Sequence, residues 1–166
     1  MNDTLIRWLE GIPAAKTRYA ILNIAQPSID RLSTQSLISA GMVITSAGAT
    51  TAKTGTADWY GVANAVLVKV TAATTLPALV GTILAGGFNV WCFFVDSAGV
   101  VTSAAGTQGT TLAKVVFPVP PKNKALLGTL IVTYASAFTG GTTPLDTATT
   151  VYINNIGAFD PSARTG

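Results

Sequence analysis

Histidine is absent from this chain and cysteine occurs once, at Cys92. The first absence removes the usual zinc ligand sets and every histidine-based catalytic triad, and a single cysteine cannot close a disulfide within the chain. Charge is scarce as well. Asp, Glu, Lys and Arg together make up 10% of the residues, against a usual share of about a quarter. The ten basic and seven acidic side chains leave a net charge of +3, and the basic ones are scattered from Arg7 to Arg164. Without a basic stripe interleaved with stacking aromatics, no nucleic-acid partner is expected. The apolar runs are short or broken by Thr, Gly, Pro and Lys, so no helix that spans a membrane is expected. Met1 to Ile12 carries Asp3 and Glu10 and lacks a basic start with a long apolar core, so it does not read as a secretory signal. The chain is expected to fold in the cytoplasm of the cell that makes it.

The residues that could carry chemistry form no constellation. Ser36, Ser46, Ser97 and Ser103 have no histidine partner, and no G-x-S-x-G elbow occurs. The glycines miss both nucleotide-binding fingerprints, and Thr139-Gly140-Gly141-Thr142-Thr143-Pro144 reads as a turn. Asp58, Asp96, Asp146 and Asp160 are too widely spaced to suggest a metal site. Cys92, set between Trp91 and Phe93-Phe94, reads as a buried, inert thiol. The expectation is a protein that is not an enzyme and takes no cofactor and no metal.

What the sequence does contain is β-structure. Phe88-Asn89-Val90-Trp91-Cys92-Phe93-Phe94-Val95 is its longest apolar run, rich in aromatic and β-branched residues, and Asp96-Ser97-Ala98-Gly99 supplies a turn into Val100-Val101-Thr102. A two-residue period places Trp91 and Phe93 on one face and Cys92 and Phe94 on the other. Both faces are apolar, so this strand is predicted to be central and covered on each side. Other strands are read at Met42–Ile44, Asp58–Val62, Ala65–Val70, Ile83-Leu84, Lys114–Phe117, Leu126–Tyr134 and Thr149–Asn154, with Thr45 to Thr56 as a long loop. Gly128, inside an apolar run, marks a bulge or a close approach by another backbone. Pro118, Pro120 and Pro121 require the segment after Phe117 to leave a sheet, and Pro120–Lys124 reads as a rigid exposed turn.

Ahead of this lies an arm. Asn2 or Asp3 can cap a short helix through Leu5, Ile6, Trp8 and Leu9 that Gly11 and Pro13 stop. Such a helix is too short to stand alone and must dock its apolar side on its own domain, a sister subunit or another protein. Tyr19–Ile24 has strand character that Gln26-Pro27-Ser28 ends. The predicted fold is all-β, a two-sheet β-sandwich with jelly-roll-like connections plus a short N-terminal helical arm. Residues 1–37 form the arm and an irregular connection, 38–154 the sandwich and 155–166 a C-terminal tail.

The succession of the Asp96–Gly99 turn, Val100-Val101-Thr102, Gly106-Thr107, a strand bounded by lysine and proline, Leu127–Val132 and Phe138–Asp146 resembles small structural proteins of tailed-bacteriophage virions. The likeness covers roughly Asp58 to Asn154. It implies a non-enzymatic virion protein at the capsid surface that decorates or cements the shell by binding the major capsid protein across its subunits. The arm residues Leu5, Trp8, Leu9 and Ile12 are the expected contacts, with Lys122 and Lys124 as electrostatic ones. Low charge and the apolar arm also lead to an expected homo-oligomer, a trimer in preference to a dimer. The alternative is a receptor- or carbohydrate-binding module of a phage fibre or tail, using Trp59 and Tyr60 or the Thr45–Thr56 loop as its exposed surface.

Overall fold

The computed structural model describes residues 33–158. The fold is all-β, built from antiparallel sheets that pack on one another. A three-stranded sheet has the order β1 (Gln35–Ser36), β4 (Trp59–Ala63), β5 (Val66–Val70). A four-stranded sheet has the order β11 (Thr149–Asn154), β9 (Ala125–Thr133), β7 (Phe88–Val95), β8 (Val101–Ala105). Two small pairs complete the set, β2 (Val43–Ile44) with β3 (Ala52–Lys53), and β6 (Thr82–Ile83) with β10 (Phe138–Thr139). Among the described residues no helix is long and apolar enough to cross a membrane.

Strand β7 lies inside the four-stranded sheet with both faces covered, as a sequence apolar at every position but Asn89 requires. Trp91, Phe93 and Val95 enter the larger core, which fills the space between the two main sheets together with Trp59, Val68, Val70, Leu127, Leu130 and Phe138. Val90, Cys92 and Phe94 enter a smaller core on the opposite face. That second face is closed by the stretch around Val115 and Phe117. Here Leu112–Lys114 makes one 3₁₀ turn, and a single bridge joins Val116 to Thr107. The strand expected at Lys114–Phe117 is therefore only this bridge, because the prolines that follow cannot donate to a ladder.

Opposite β7, strand β9 changes phase. Phe93 faces Gly128 and Phe94 faces Leu126, so Leu127 is an extra residue, a β-bulge. Ala125 and Leu127 reach the larger core from odd positions, and beyond the bulge Leu130 and Val132 reach it from even ones. A one-residue slip swaps faces in this way. Gly128 faces the methyl end of Met42, and a Cβ there would stand 2.9 Å from Met42 Sδ and 3.1 Å from the Ile153 carbonyl oxygen. The glycine thus serves both the bulge and the close approach.

Short strands also form where the sequence has no period. Gln35–Ser36 pairs with Val62 and Gly61, inside a stretch expected to be irregular. Ala52–Lys53 pairs back onto Val43–Ile44, so the Thr45–Thr56 loop is in fact the turn and second strand of a hairpin. Ser36 also exchanges both backbone hydrogen bonds with Gly157, at 3.0 and 2.7 Å. That bridge brings the first and last described strand segments side by side.

Candidate interaction surface

Each of the three carboxylates among the described residues, the groups most able to carry chemistry in this composition, fixes a turn. Asp96 accepts from the backbone N–H groups of Ala98 and Val100, both at 3.0 Å, and so closes the β7–β8 hairpin. Asp146 accepts from Gly48 N–H at 2.7 Å and, with the Leu145 N–H to Ala49 carbonyl bond, ties the β2–β3 hairpin to the loop before β11. Asp58 accepts from Ala72 N–H at 2.9 Å and pairs with Lys69 Nζ at 2.6 Å. The hydrogen bond from Lys69 and then that from Ala72 hold the Asp58 carboxyl below the ordinary carboxylate range. The same bond to Asp58 raises Lys69. Among the described residues no group of three or more metal-ligating side chains comes together. Asp160 lies outside them.

Trp59 was an expected member of an exposed recognition surface, and its position corrects that expectation. Its side chain is wholly buried in the larger core, and its indole N–H donates to Ser36 Oγ at 2.9 Å. Trp59 begins β4 facing inward, and the two-residue period then turns Tyr60 outward. Tyr60 is 37% exposed, so of the pair it alone can meet a partner.

The lysines also separate. Lys122 projects from the exposed turn after Pro121, where Asn123 takes a left-handed conformation with φ 63°. Lys124 folds back over the β7–β8 hairpin, with Nζ 3.3 Å from Thr102 Oγ1 and 3.8 Å from Asp96 Oδ2. Its charge is partly answered within the fold. Leu5, Trp8, Leu9 and Ile12 lie outside the described residues.

A surface that the sequence reading passed over lies on the outer face of β1-β4-β5. Register places Val62 opposite Leu67 and Tyr60 opposite Lys69, while Leu37 N–H donates to the Tyr60 carbonyl at 3.0 Å. Leu37, Tyr60 and Leu67 are exposed and Val62 half-buried, Leu67 at 65%. Same-face neighbours at this spacing touch, so these four make one apolar patch bordered by the Asp58–Lys69 pair. The signal was present in the alternation of Trp59, Gly61 and Ala63 with Tyr60 and Val62. What the sequence did not reveal was which of the two sets turned inward.

A cavity of about 320 Å³ at the foot of the β2–β3 hairpin is lined by Ser39, Val43, Thr54 and Thr56, with Lys53 as its one charged lining residue. Its walls are small side chains and backbone, and it brings no second ionisable group to Lys53.

Compared with family models, with curated proteins and with solved structures, the chain matches none.

Proposed function

We propose that this chain is a non-enzymatic structural protein of a tailed-phage virion, which decorates and stabilises the capsid by binding across subunits of the major capsid protein. The observation that carries this reading is a sheet domain whose three described carboxylates lock turns and whose β1-β4-β5 sheet carries an exposed patch of large apolar side chains. Such a domain is built to be laid against another surface. The low charge of the chain supports the same reading, because a surface with little self-repulsion associates readily.

In this reading the packed sheets form a two-sheet sandwich with jelly-roll-like connections, and a helical arm carries Leu5, Trp8, Leu9 and Ile12 to the shell. Lys122 supplies an electrostatic contact. The protein assembles as a homo-oligomer, a trimer in preference to a dimer, after synthesis in the host cytoplasm. Each contact is modest, and occupancy of many equivalent sites multiplies the gain in shell stability.

Titration of the protein onto shells that lack it tests the proposal. Saturable binding that raises the temperature of shell opening is expected, with loss of binding in Trp8→Ala. Shells that bind none of it overturn the reading. The recognition-module alternative keeps the exposed Tyr60 ring or the Thr45–Thr56 loop but loses Trp59 to the core, which leaves it the weaker of the two.

A further inference from the structure

We infer that β11, at the edge of the four-stranded sheet, pairs with β11 of a second copy of this chain, antiparallel and about a two-fold axis. β11 is an end strand, held by β9 on one side only. Every second residue of such a strand turns its N–H and C=O away from its neighbour. Among the described residues no hydrogen bond or bridge meets those groups on β11.

The other edges of the two main sheets are guarded. β5 carries Lys69 in its ion pair with Asp58. Lys124 and Asp96 flank β8, and β1 is two residues long and already bridges to Gly157. Charge and shortness are what keep sheet edges from pairing. β11 has neither. Its residues Thr149-Thr150-Val151-Tyr152-Ile153-Asn154 include no charge, no proline and no glycine. The open backbone groups call for an extended strand, and with the other edges guarded an edge contact between copies joins β11 to itself.

The side chains fit the same pairing. On the outer face of the sheet Val90, Ile131 and Val151 stand in one row across β7, β9 and β11. Exposure rises along it, from buried Val90 through half-buried Ile131 to Val151 at 50%, so the row ends uncovered at the open edge. A two-fold axis beside Val151 sets that residue against its own mate and carries the row on into the second copy. It also sets Thr149 against Ile153 and Thr150 against Tyr152, so each opposed pair shares a face and no charge meets a charge. The contact is isologous. It takes one edge, leaves the Leu37, Tyr60, Val62 and Leu67 patch to another surface, and in a three-fold assembly joins one trimer to the next.

Val151→Cys in the full chain, under mild oxidation, tests this directly. Directly opposed Cα atoms stand about 4.5–5.5 Å apart, within disulfide reach. Val151 lies outside the core, and circular dichroism checks that the fold is kept. A disulfide-linked dimer on a denaturing gel is expected. Thr149→Cys is the register control, because its two copies stand about 13 Å apart and are expected to stay unlinked. The native protein, whose one cysteine is buried, is expected to stay unlinked as well. No dimer from Val151→Cys, or equal linking of Thr149→Cys, overturns the inference. As a second readout, Val151→Lys sets like charges opposite each other across the axis and is expected to weaken self-association by roughly tenfold, measured by sedimentation. A native protein that does not self-associate, or a variant that associates as well as the native one, counts against the pairing. Neither measurement needs a shell, so its outcome is separate from that of the capsid proposal.

Discussion

Trp59 Nε1 donates to Ser36 Oγ at 2.9 Å, and both side chains are buried. This bond adds a buried side-chain tie to the backbone pairing between the interior strand of the three-stranded sheet and its two-residue edge strand. Ser36 in turn bridges to Gly157 and donates its hydroxyl to the Ile38 carbonyl at 3.1 Å. Ser36→Ala leaves the indole N–H without its partner in the core. The expected loss is about 1–3 kcal/mol, read from urea unfolding. Trp59→Phe removes the donor as well, so the double variant is expected to lose less than the sum of the two single changes.

Gly61, two residues on from Trp59, faces the same side, and the indole ring lies over its Cα. A Cβ there would collide with the six-membered part of the ring, which the bond to Ser36 holds in place. Gly61→Ala is therefore expected to cost about 1–3 kcal/mol and to shift the tryptophan fluorescence. Gly48→Ala is the control for added bulk, since nothing lies within 4 Å of a Cβ at that position. Its left-handed φ of 73° adds a backbone cost, but the tryptophan signal is expected to stay unchanged.

The β4–β5 turn runs the other way. Asn64 and Ala65 both have positive φ, 53° and 62°, the pattern of a hairpin turn that favours Asn-Gly. Alanine is strained in this region, and its exposed methyl packs on nothing in the core. Ala65→Gly is expected to raise stability by about 1 kcal/mol, seen as a higher unfolding midpoint. A lower midpoint would show that the turn is held by contacts of that methyl.

The Asp58–Lys69 pair sets a pH dependence. Asp58 ionises lower in the folded chain than in the unfolded one. Its contribution is therefore complete above the unfolded value of roughly 3.9 and is lost as pH falls through the folded value. Lys69 is raised, so its contribution is complete below roughly 10.4 and is lost as pH rises through the folded value. The stability difference between the native protein and Asp58→Asn is expected to be constant from about pH 5 to 9 and to shrink on both sides. Urea midpoints across pH measure it.

The fold was legible where a strand is long and its pattern strong. Phe88–Val95 announced a central strand covered on both faces, Asp96–Gly99 its turn, and Gly128 the bulge opposite. Thr149–Asn154 carries the bounds read from sequence. Gln35–Ser36 and Ala52–Lys53 were not legible, because a two-residue strand has no period and its pairing is imposed by its partner. The alternation of Val66, Val68 and Val70 with Leu67 and Lys69 predicts one better-buried face, and Val68 and Val70 are buried while Val66, beside the hairpin turn, is exposed. Trp59 was misplaced for a different reason. Alternation separates two faces without saying which is inside, and the buried Ser36 hydroxyl that receives its N–H comes from 23 residues away.

Cryo-electron microscopy of the particle that contains this chain tests the central proposal most directly. A regular network of density across neighbouring capsomers, with the β-domain on the shell and the Trp8 arm gripping it, is the result expected. Density confined to a distal tip that touches no shell lattice, or no density on the capsid at all, would contradict it.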